Sequence, residues 1–195
     1  MDVLAEAVQA GKVRARGVSN YKASLLRRAH ARLGIPLASN QVPYSLLHRY
    51  AETNGVLDAC RELNVALIAY SPLQQDILSG KYRTTPLSKP VMLRLVETLS
   101  PRDPFREMAG ASYGPRDVRP EQLKPLFVVL EQIANAHQKT IAQVALNWLL
   151  TTDPCILPIP GAKNARKASQ HAGALNWRLT GEEHARISQA EMATR

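Results

Sequence analysis

The sequence contains little that would support an extracellular, metal-bound or membrane-spanning protein. Its two cysteines, Cys60 and Cys155, lie far apart in apolar surroundings, whereas small disulfide-stabilised domains need several. We therefore predict reduced thiols in a cytoplasmic protein, with a plastid location open if a targeting segment is missing from the sequence. No cysteine or histidine pair has the spacing of metal ligands, so no metal site is predicted. No apolar run approaches the ~18 residues of a membrane helix, so we expect no membrane partner.

Aromatic residues are also scarce, at 5% of the chain, although the net charge is +9 and the pI is about 9.9. That charge allows an anionic partner such as a nucleic acid or a phosphorylated small molecule. The basic residues are scattered, however, and the densest stretches, RTTPLSK and KNARK, are short. Platforms for nucleic acid need aromatic side chains among the cations, so we expect no nucleic-acid partner. A basic nucleic-acid-binding protein is kept as a third hypothesis, which a salt-dependent gel shift would support.

What the sequence does contain is a regular alternation of strand and helix patterns. The segments VRARGVSN, PLASNQVPYS and VALIAYSPL are typical of strands, and the helical patterns MDVLAEAVQA, KASLLRRAHARLG and GVLDACRELN precede or separate them. This order predicts an α/β fold with parallel strands and right-handed crossovers. VALIAYSPL is apolar at nearly every position, which predicts a strand covered on both faces.

The second part of the chain resumes the same pattern after a long interruption. Residues 74–118 are rich in Pro, Gly, Ser and Arg and predict a long loop. The segments PEQLKPLFVVLEQIANAHQ and TIAQVALNWLL then predict helices, the second with Thr140 as its N-cap, and CILPIP predicts a fourth strand. A helix beginning near Asn164 and a last helix with a Thr180–Glu183 capping box complete the chain. We predict a single domain over residues 1–195.

Polar residues stand at the ends of the predicted strands. Parallel sheets bind ligands at the carboxyl edge, where strand ends meet. The residues there carry amide, hydroxyl, aromatic and cationic groups, with no carboxylate and no histidine among them: Ser19, Asn20, Asn40, Gln41, Tyr70, Ser71, Pro72, Gly161, Ala162 and Lys163. Such a set suits a ligand with an amide-bearing ring at one end and an anion at the other, and it is poorly equipped to transfer protons.

The stretch CILPIPGAKNARK, residues 155–167, is predicted to bind the anionic end of this ligand. Gly161 would let the backbone approach a ligand closely, and the helix that follows would present unpaired N–H groups to an anion. Lys163, Arg166 and Lys167 add positive charge. The alternative is a solvated turn with ordinary surface cations.

Several motifs together resemble those of the aldo-keto reductases. GKVRARGVSN, NQVPYSLLHR, VALIAYSPL, ILSGKY, IAQVALNWLL and ILPIPGAKN…AGAL have the order and spacing found in that family, most closely in the branch of bacterial and plant oxidoreductases and potassium-channel β subunits. The resemblance covers the chain except residues 83–118. It implies a (β/α)8 barrel of the TIM type that binds NADP(H) across the carboxyl ends of its strands.

The resemblance also implies roles for individual residues. The implied cofactor contacts are Ser19, Asn20 and Gln41 at the nicotinamide carboxamide, Tyr70 beneath the ring, Ser71, Leu73 and Lys81 at the pyrophosphate, Gly161, Lys163 and Lys167 around the 2′-phosphate, and Gln170 and His171 near adenine.

The sequence departs from the usual family pattern at two places. Gln75 and Asp76 occupy positions where the family usually has small residues or glycine, and a carboxylate at 76 would repel pyrophosphate unless it points away or pairs with a cation. His171 replaces a usual asparagine.

The matched motifs belong to the carboxyl-terminal half of the family barrel. We therefore expect about four of the eight βα units, the cofactor-binding half, and no residue matching the catalytic Asp, Tyr, Lys and His. The first hypothesis is an NADP(H)-dependent oxidoreductase of aldehydes or ketones, with this chain inactive by itself. The second is a non-catalytic NADP(H)-binding regulatory or structural module. A half barrel would expose two strand edges and an apolar inner face, so the chain is a fragment, forms a homodimer, or pairs with a complementing amino-terminal half.

Overall fold

The computed structural model describes residues 2–32, 36–81 and 120–194. The first stretch begins with helix α1 (Asp2–Gln9), which is followed by strand β1 (Gly17–Ser19) and helix α2 (Ala23–Arg32). Helix α1 ends as predicted at Gly11, which has a φ of +70° and donates its backbone N–H to Val8 O at 3.0 Å. Glycine is suited to this left-handed position because it has no Cβ.

The second stretch contains strands β2 (Ser39–Pro43) and β3 (Ala66–Tyr70), with helices α3 (Tyr50–Thr53) and α4 (Val56–Glu62) between them. Helix α4 corresponds to the predicted GVLDACRELN helix and begins after Gly55, whose φ is +78°. Helix α3 was not predicted from the sequence, because a single turn is too short to show a 3.6-residue period.

The third stretch supplies the remaining helices and strand of the described residues. A 3-10 turn (Pro120–Leu123) leads into α5 (Lys124–Ala136), which is followed by α6 (Ile141–Thr152), β4 (Ile156–Pro158), α7 (Ala165–Ala172) and α8 (Gly181–Met192). The predicted caps are confirmed: Thr140 forms a capping box with Gln143, and Thr180 forms one with Glu183. The N-cap of α7 is Asn164, whose side chain accepts the Lys167 N–H.

The strands form one four-stranded parallel sheet in the order β1-β2-β3-β4. Ser19 pairs with Gln41, Pro43 pairs with Tyr70, and Ala69 pairs with Pro158. Because all the strands run in the same direction, their carboxyl ends meet at one edge of the sheet. The α/β prediction, with strands in the arrangement of part of a (β/α)8 barrel, is confirmed.

The two faces of the sheet differ in burial. One face is buried under the helices, and its residues are Asn40 and Val42 on β2, Leu67 and Ala69 on β3, and Ile156 on β4. On the opposite face, the residues of β3 are only half-buried, and Leu157 of β4 is 49% exposed. The prediction that β3 is covered on both faces was therefore wrong for the described residues. An inner strand of a barrel is apolar on both faces, and its sequence does not show that one of the faces lies half-open.

A buried asparagine joins α6 to the segment between α7 and α8. Asn147 Nδ2 donates to Ala174 O and Trp177 O, both at 2.9 Å. Its Oδ1 accepts the Leu179 N–H at 3.0 Å and the Thr151 hydroxyl at 3.1 Å. The side chain is completely buried, and all four of its hydrogen-bonding positions are used.

The predicted loop over residues 74–118 begins as an ordered turn. Gln74, Gln75 and Asp76 have φ values of 47°, 52° and 70°, and a 3-10 turn (Ile77–Ser79) follows. Leu78 is buried, and its backbone N–H donates to Leu73 O. The predicted loop thus begins with ordered turns up to residue 81. Residues 82–118 lie outside the described residues, so the rest of the loop stays a prediction.

Candidate cofactor site

The carboxyl ends of β1, β2 and β3 bring four of the predicted residues together. The Asn20 backbone N–H donates to Gln41 O at 2.8 Å, and the Ser19 hydroxyl donates to the same oxygen at 3.1 Å. The Tyr70 hydroxyl donates to Asn20 Oδ1 at 3.2 Å. Asn20 has a φ of 59°, a left-handed conformation that asparagine tolerates better than most residues. The result is a connected cluster of amide, hydroxyl and aromatic groups.

A buried asparagine one residue earlier on β2 supports this cluster from below. Asn40 Oδ1 accepts the Tyr21 N–H at 3.3 Å, and Asn40 Nδ2 donates to Tyr21 O at 3.0 Å. Asn40 is fully buried, so the two hydrogen bonds fix the chain direction immediately after Asn20. Asn40 was expected among the polar residues at the strand ends, but no role was predicted for it. The sequence feature that could have indicated this role is a polar amide residue within a strand, at a position that is buried in the structure.

The segment after β3 is a compact turn. Ser71 has a φ of 53° and is exposed, and its carbonyl accepts the Gln74 N–H at 2.9 Å. Leu73 is buried, so its side chain belongs to the core and only its backbone is available for a ligand. Lys81 ends the described segment with an exposed side chain, and its N–H donates to Ser79 Oγ at 3.3 Å.

The turn after β4 presents the predicted basic group. Gly161 and Lys163 are exposed, and Lys167 is half-buried in the first turn of α7. Gly161 does not need to be glycine for its own backbone: its φ is not positive, and a Cβ added there would meet no atom within 4 Å. The open space beside Gly161 is therefore free for a bound group to approach.

An ion pair connects the segment after β3 to α7. Lys167 Nζ lies 3.8 Å from Asp76 Oδ1. The carboxylate that was expected to repel a pyrophosphate thus pairs with a cation, which was one of the two conditions stated for it. Gln75 and Asp76 occupy left-handed positions, which explains why glycine or a small residue suits this turn.

The last two predicted residues lie on α7 and differ in exposure. Gln170 has an exposed side chain, and its carbonyl accepts Gln143 Nε2 at 2.7 Å. His171 is 8% exposed, and its Nε2 lies 3.3 Å from Gly161 O. His171 Nδ1 is buried and has no hydrogen-bond partner. His171 therefore supports the Gly161 turn from inside. The contact of Gln143 with Gln170 was not predicted, because only the place of Gln143 in the capping box can be read from the sequence.

A second group of ionisable side chains lies next to β2 and is fully engaged in internal contacts. The Tyr44 hydroxyl donates to Glu52 Oε1 at 2.8 Å, and Arg49 forms an ion pair with Glu52 at 2.7 Å. Burial, with the charge of Glu52, raises the pKa of Tyr44 far above its usual value. Burial opposes ionisation of Glu52, but hydrogen bonds from Arg49 and Tyr44 outweigh it and lower its pKa. This cluster stabilises the fold and offers no proton donor near neutral pH.

Comparison with known proteins identifies the family. The model of the aldo/keto reductase family matches residues 1–191. The chain belongs to the aldo/keto reductase family.

Curated relatives and a solved structure agree with this assignment. Pyridoxal reductase, chloroplastic, of Arabidopsis thaliana is 35% identical over 97% of this chain and 47% of its own length. The aldo-keto reductase yakc [NADP(+)] of Schizosaccharomyces pombe is 34% identical over 92% of this chain and 48% of its own length. The glycerol dehydrogenase of Gluconobacter oxydans superposes with a TM-score of 0.74 at 26% identity, over 96% of this chain and 51% of that one.

The chain spans about half the length of the family members that it matches. The family model and the solved structure confirm the family resemblance and the fold class predicted from the sequence.

Within the part of the chain that the structure describes, no helix is both long enough and apolar enough to cross a membrane. In the same residues, no group of three or more His, Cys, Asp and Glu side chains could hold a metal ion.

Proposed function

We propose that this chain is the NADP(H)-binding half of an aldo-keto reductase that reduces carbonyl compounds or oxidises the corresponding alcohols. The observation that carries the proposal is the hydrogen-bonded cluster of Ser19, Asn20, Gln41 and Tyr70 at one edge of the sheet. A carboxamide needs hydrogen-bond donors and acceptors close to a flat apolar surface, and the cluster offers both.

The nicotinamide end of the cofactor is assigned to this cluster. Ser19, Asn20 and Gln41 would hold the carboxamide, and the half-buried Tyr70 ring would lie beneath the nicotinamide ring. The Tyr70–Asn20 hydrogen bond orients both side chains before any ligand arrives, which reduces the entropy lost on binding.

The phosphate groups are assigned to the two turns that follow β3 and β4. Ser71, Lys81 and the backbone of Leu73 would contact the pyrophosphate, and Gly161, Lys163 and Lys167 would hold the adenosine 2′-phosphate. Gln170 and His171 would lie beside adenine. The residues fit the cofactor in two respects: open space stands beside Gly161, and His171 has a buried Nδ1 without a partner. The S. pombe relative carries NADP(+) in its name.

The reaction needs a hydride and a proton, and this chain is equipped for the hydride side. NADP(H) supplies the hydride when it is bound. The residues of this chain would orient the nicotinamide and hold its phosphates. The family's proton-transferring residues match no position here, so we propose that the other βα units of the barrel provide the general acid. The half-open inner face of the sheet, where Leu157 is 49% exposed, is where those units would pack. A second copy of this chain is the alternative occupant.

A non-catalytic NADP(H)-binding module is the second candidate function. The observation that favours it is that the strand-end cluster consists of amide, hydroxyl and aromatic groups, which bind a cofactor without transferring protons. NADPH oxidation by the pure chain that depends on an added aldehyde or ketone would exclude this candidate. We propose a cytoplasmic location for either function, or a plastid by analogy with the chloroplastic pyridoxal reductase of A. thaliana.

The cofactor assignment is tested by titrating the chain with NADPH and following intrinsic fluorescence. Tyr70→Ala removes the proposed stacking surface, and aromatic stacking is worth about 1–3 kcal/mol, so the Kd should rise at least about fivefold. Tyr70→Phe keeps the ring and should have a smaller effect. The matched control is Tyr50→Ala, because Tyr50 is exposed on α3 and is not among the proposed cofactor contacts. If wild-type protein shows no saturable binding, or if Tyr70→Ala binds like Tyr50→Ala, the assignment is wrong.

A further inference from the structure

The Asp76–Lys167 ion pair places a carboxylate inside the proposed phosphate site. The Lys167 Nζ to Asp76 Oδ1 distance is 3.8 Å, and the two side chains are 36% and 42% exposed. The residues lie in segments far apart in sequence, one after β3 and one on α7. The pair therefore forms only because the fold brings these two segments together.

The backbone holds Asp76 in this position. Gln74, Gln75 and Asp76 all adopt left-handed conformations, and Asp76 O accepts hydrogen bonds from the Ser79 hydroxyl at 2.6 Å and the Ser79 N–H at 3.1 Å. Leu78, two residues on, is completely buried and anchors the turn in the core. The Lys167 backbone is fixed in turn by the Asn164 N-cap, at 2.9 Å. Both partners are thus attached to ordered backbone.

The ion pair competes with an anionic ligand for Lys167. A phosphate dianion that approaches Lys167 must displace the Asp76 carboxylate or bind beside it, and either outcome costs free energy through Coulomb interaction. A ligand that carries a hydroxyl group in place of this phosphate would pay little of that cost. The effect of Asp76 should therefore depend on the charge of the ligand at this end of the site.

We infer that Asp76 is a specificity-determining residue that weakens the preference of the chain for a phosphorylated over an unphosphorylated nicotinamide dinucleotide. The inference rests on the proposed function, since it concerns the 2′-phosphate end of the same site. The resemblance implies glycine or a small residue at position 76, so family members of that pattern lack the carboxylate. The effect on Lys167 is therefore expected of this chain and not of those relatives. The mechanism is neutralisation of Lys167 by an internal carboxylate, leaving Lys163 and Arg166 as the neighbouring cations.

The test compares the Kd values of NADPH and NADH for the wild-type chain and for Asp76→Asn. Asparagine has nearly the same shape as aspartate and tolerates a positive φ, so the turn should be kept. A partly exposed ion pair contributes up to about 1 kcal/mol, so NADPH should bind about three- to fivefold more tightly to Asp76→Asn at low salt. NADH binding should change less than about twofold, and the NADPH gain should shrink at about 0.5 M salt, where exposed charges are screened.

Two control variants separate a local effect from a change in net charge. Asp58→Asn makes the same charge change on α4, where Asp58 pairs with Arg61 at 3.0 Å, and should leave the NADPH to NADH ratio unchanged. In a Lys167→Gln background, Asp76→Asn should no longer tighten NADPH binding, because the shared partner is absent. Titration with adenosine 2′,5′-bisphosphate and with 5′-AMP repeats the comparison without the nicotinamide.

Each outcome decides between the claims. Tighter NADPH binding to Asp76→Asn that depends on Lys167 supports the inference. Unchanged or weaker NADPH binding, with the wild-type chain still binding NADPH, overturns the inference and leaves the proposed function standing. Weaker binding would mean that the carboxylate clamps the ligand. If the wild-type chain binds neither dinucleotide and not the bisphosphate, the proposed function fails and the inference fails with it.

Discussion

Replacing Asn147 by alanine should cause a large loss of stability through the hydrogen bonds that its side chain makes. The side chain makes four hydrogen bonds, and three of them join α6 to residues 174–179. Two of these three, to Ala174 O and from Leu179 N, are buried. A buried polar group that loses its partner costs about 1–3 kcal/mol, so these two groups alone predict a loss of about 2–6 kcal/mol. Domains of this size are stable by only about 5–15 kcal/mol, so the loss is a large fraction of the total.

Urea unfolding followed by far-UV circular dichroism measures this loss as a shift of the midpoint at unchanged slope. The control is Asn135→Ala on α5, where the side chain is exposed and the change should stay within about 0.5 kcal/mol. If Asn147→Ala does not fold, Thr151→Val provides a milder test, because it removes one hydroxyl donor to Asn147 and should cost about 1 kcal/mol. An Asn147→Ala loss below 1 kcal/mol, equal to that of the control, would refute the account of this network.

Three further predictions concern strain, pH and thiol reactivity. Gln75→Gly should stabilise the chain by about 1 kcal/mol in thermal or urea unfolding, because glycine relieves the left-handed strain at a φ of 52°. Gln75→Ala keeps a Cβ and should not stabilise the chain. Equal stabilities of the two variants would contradict this prediction. Burial and the charge of Arg49 lower the pKa of His184 in the folded state. Below about pH 6.5 the unfolded state therefore binds more protons at this residue than the folded state does, and the urea midpoint of the wild-type chain should fall as the pH is lowered. His184→Gln should lack this decline, and an equal decline in the variant would contradict the prediction. Burial raises the pKa of Cys60 to about 11 and of Cys155 to about 12, so neither should react with Ellman's reagent at pH 8 until the chain is unfolded, and rapid native labelling would disprove this.

Local signals in the sequence predicted most of the elements correctly. Thr140, Asn164 and Thr180 cap their helices through contacts within three residues, so their patterns can be read without knowledge of the fold. The four strands were also predicted, β3 from its continuous apolar run and the others from strand-like segments that alternate with helical patterns. Helix α3 was missed because one turn of helix shows no period.

Contacts between distant segments could not be predicted in the same way. The Asp76–Lys167 pair and the Gln143–Gln170 hydrogen bond depend on how α7 sits beside β3 and α6, which no local pattern specifies. The sequence suggested that His171 lies near a ligand, but its burial against Gly161 O follows only from packing. The half-open face of β3 was missed for a related reason: apolar composition does not reveal which residues cover a face.

The proposed function requires that one edge of the sheet binds a dinucleotide, with its amide-bearing ring at Asn20 and its charged end at the start of α7. Amide hydrogen exchange, measured with and without saturating NADPH and read by mass spectrometry of peptides, tests whether both ends bind. We expect added protection in two separate segments, residues 17–21 and residues 161–168, and none in α5. Protection confined to one of these segments, or found only on other elements, would show that the dinucleotide does not bind along this edge.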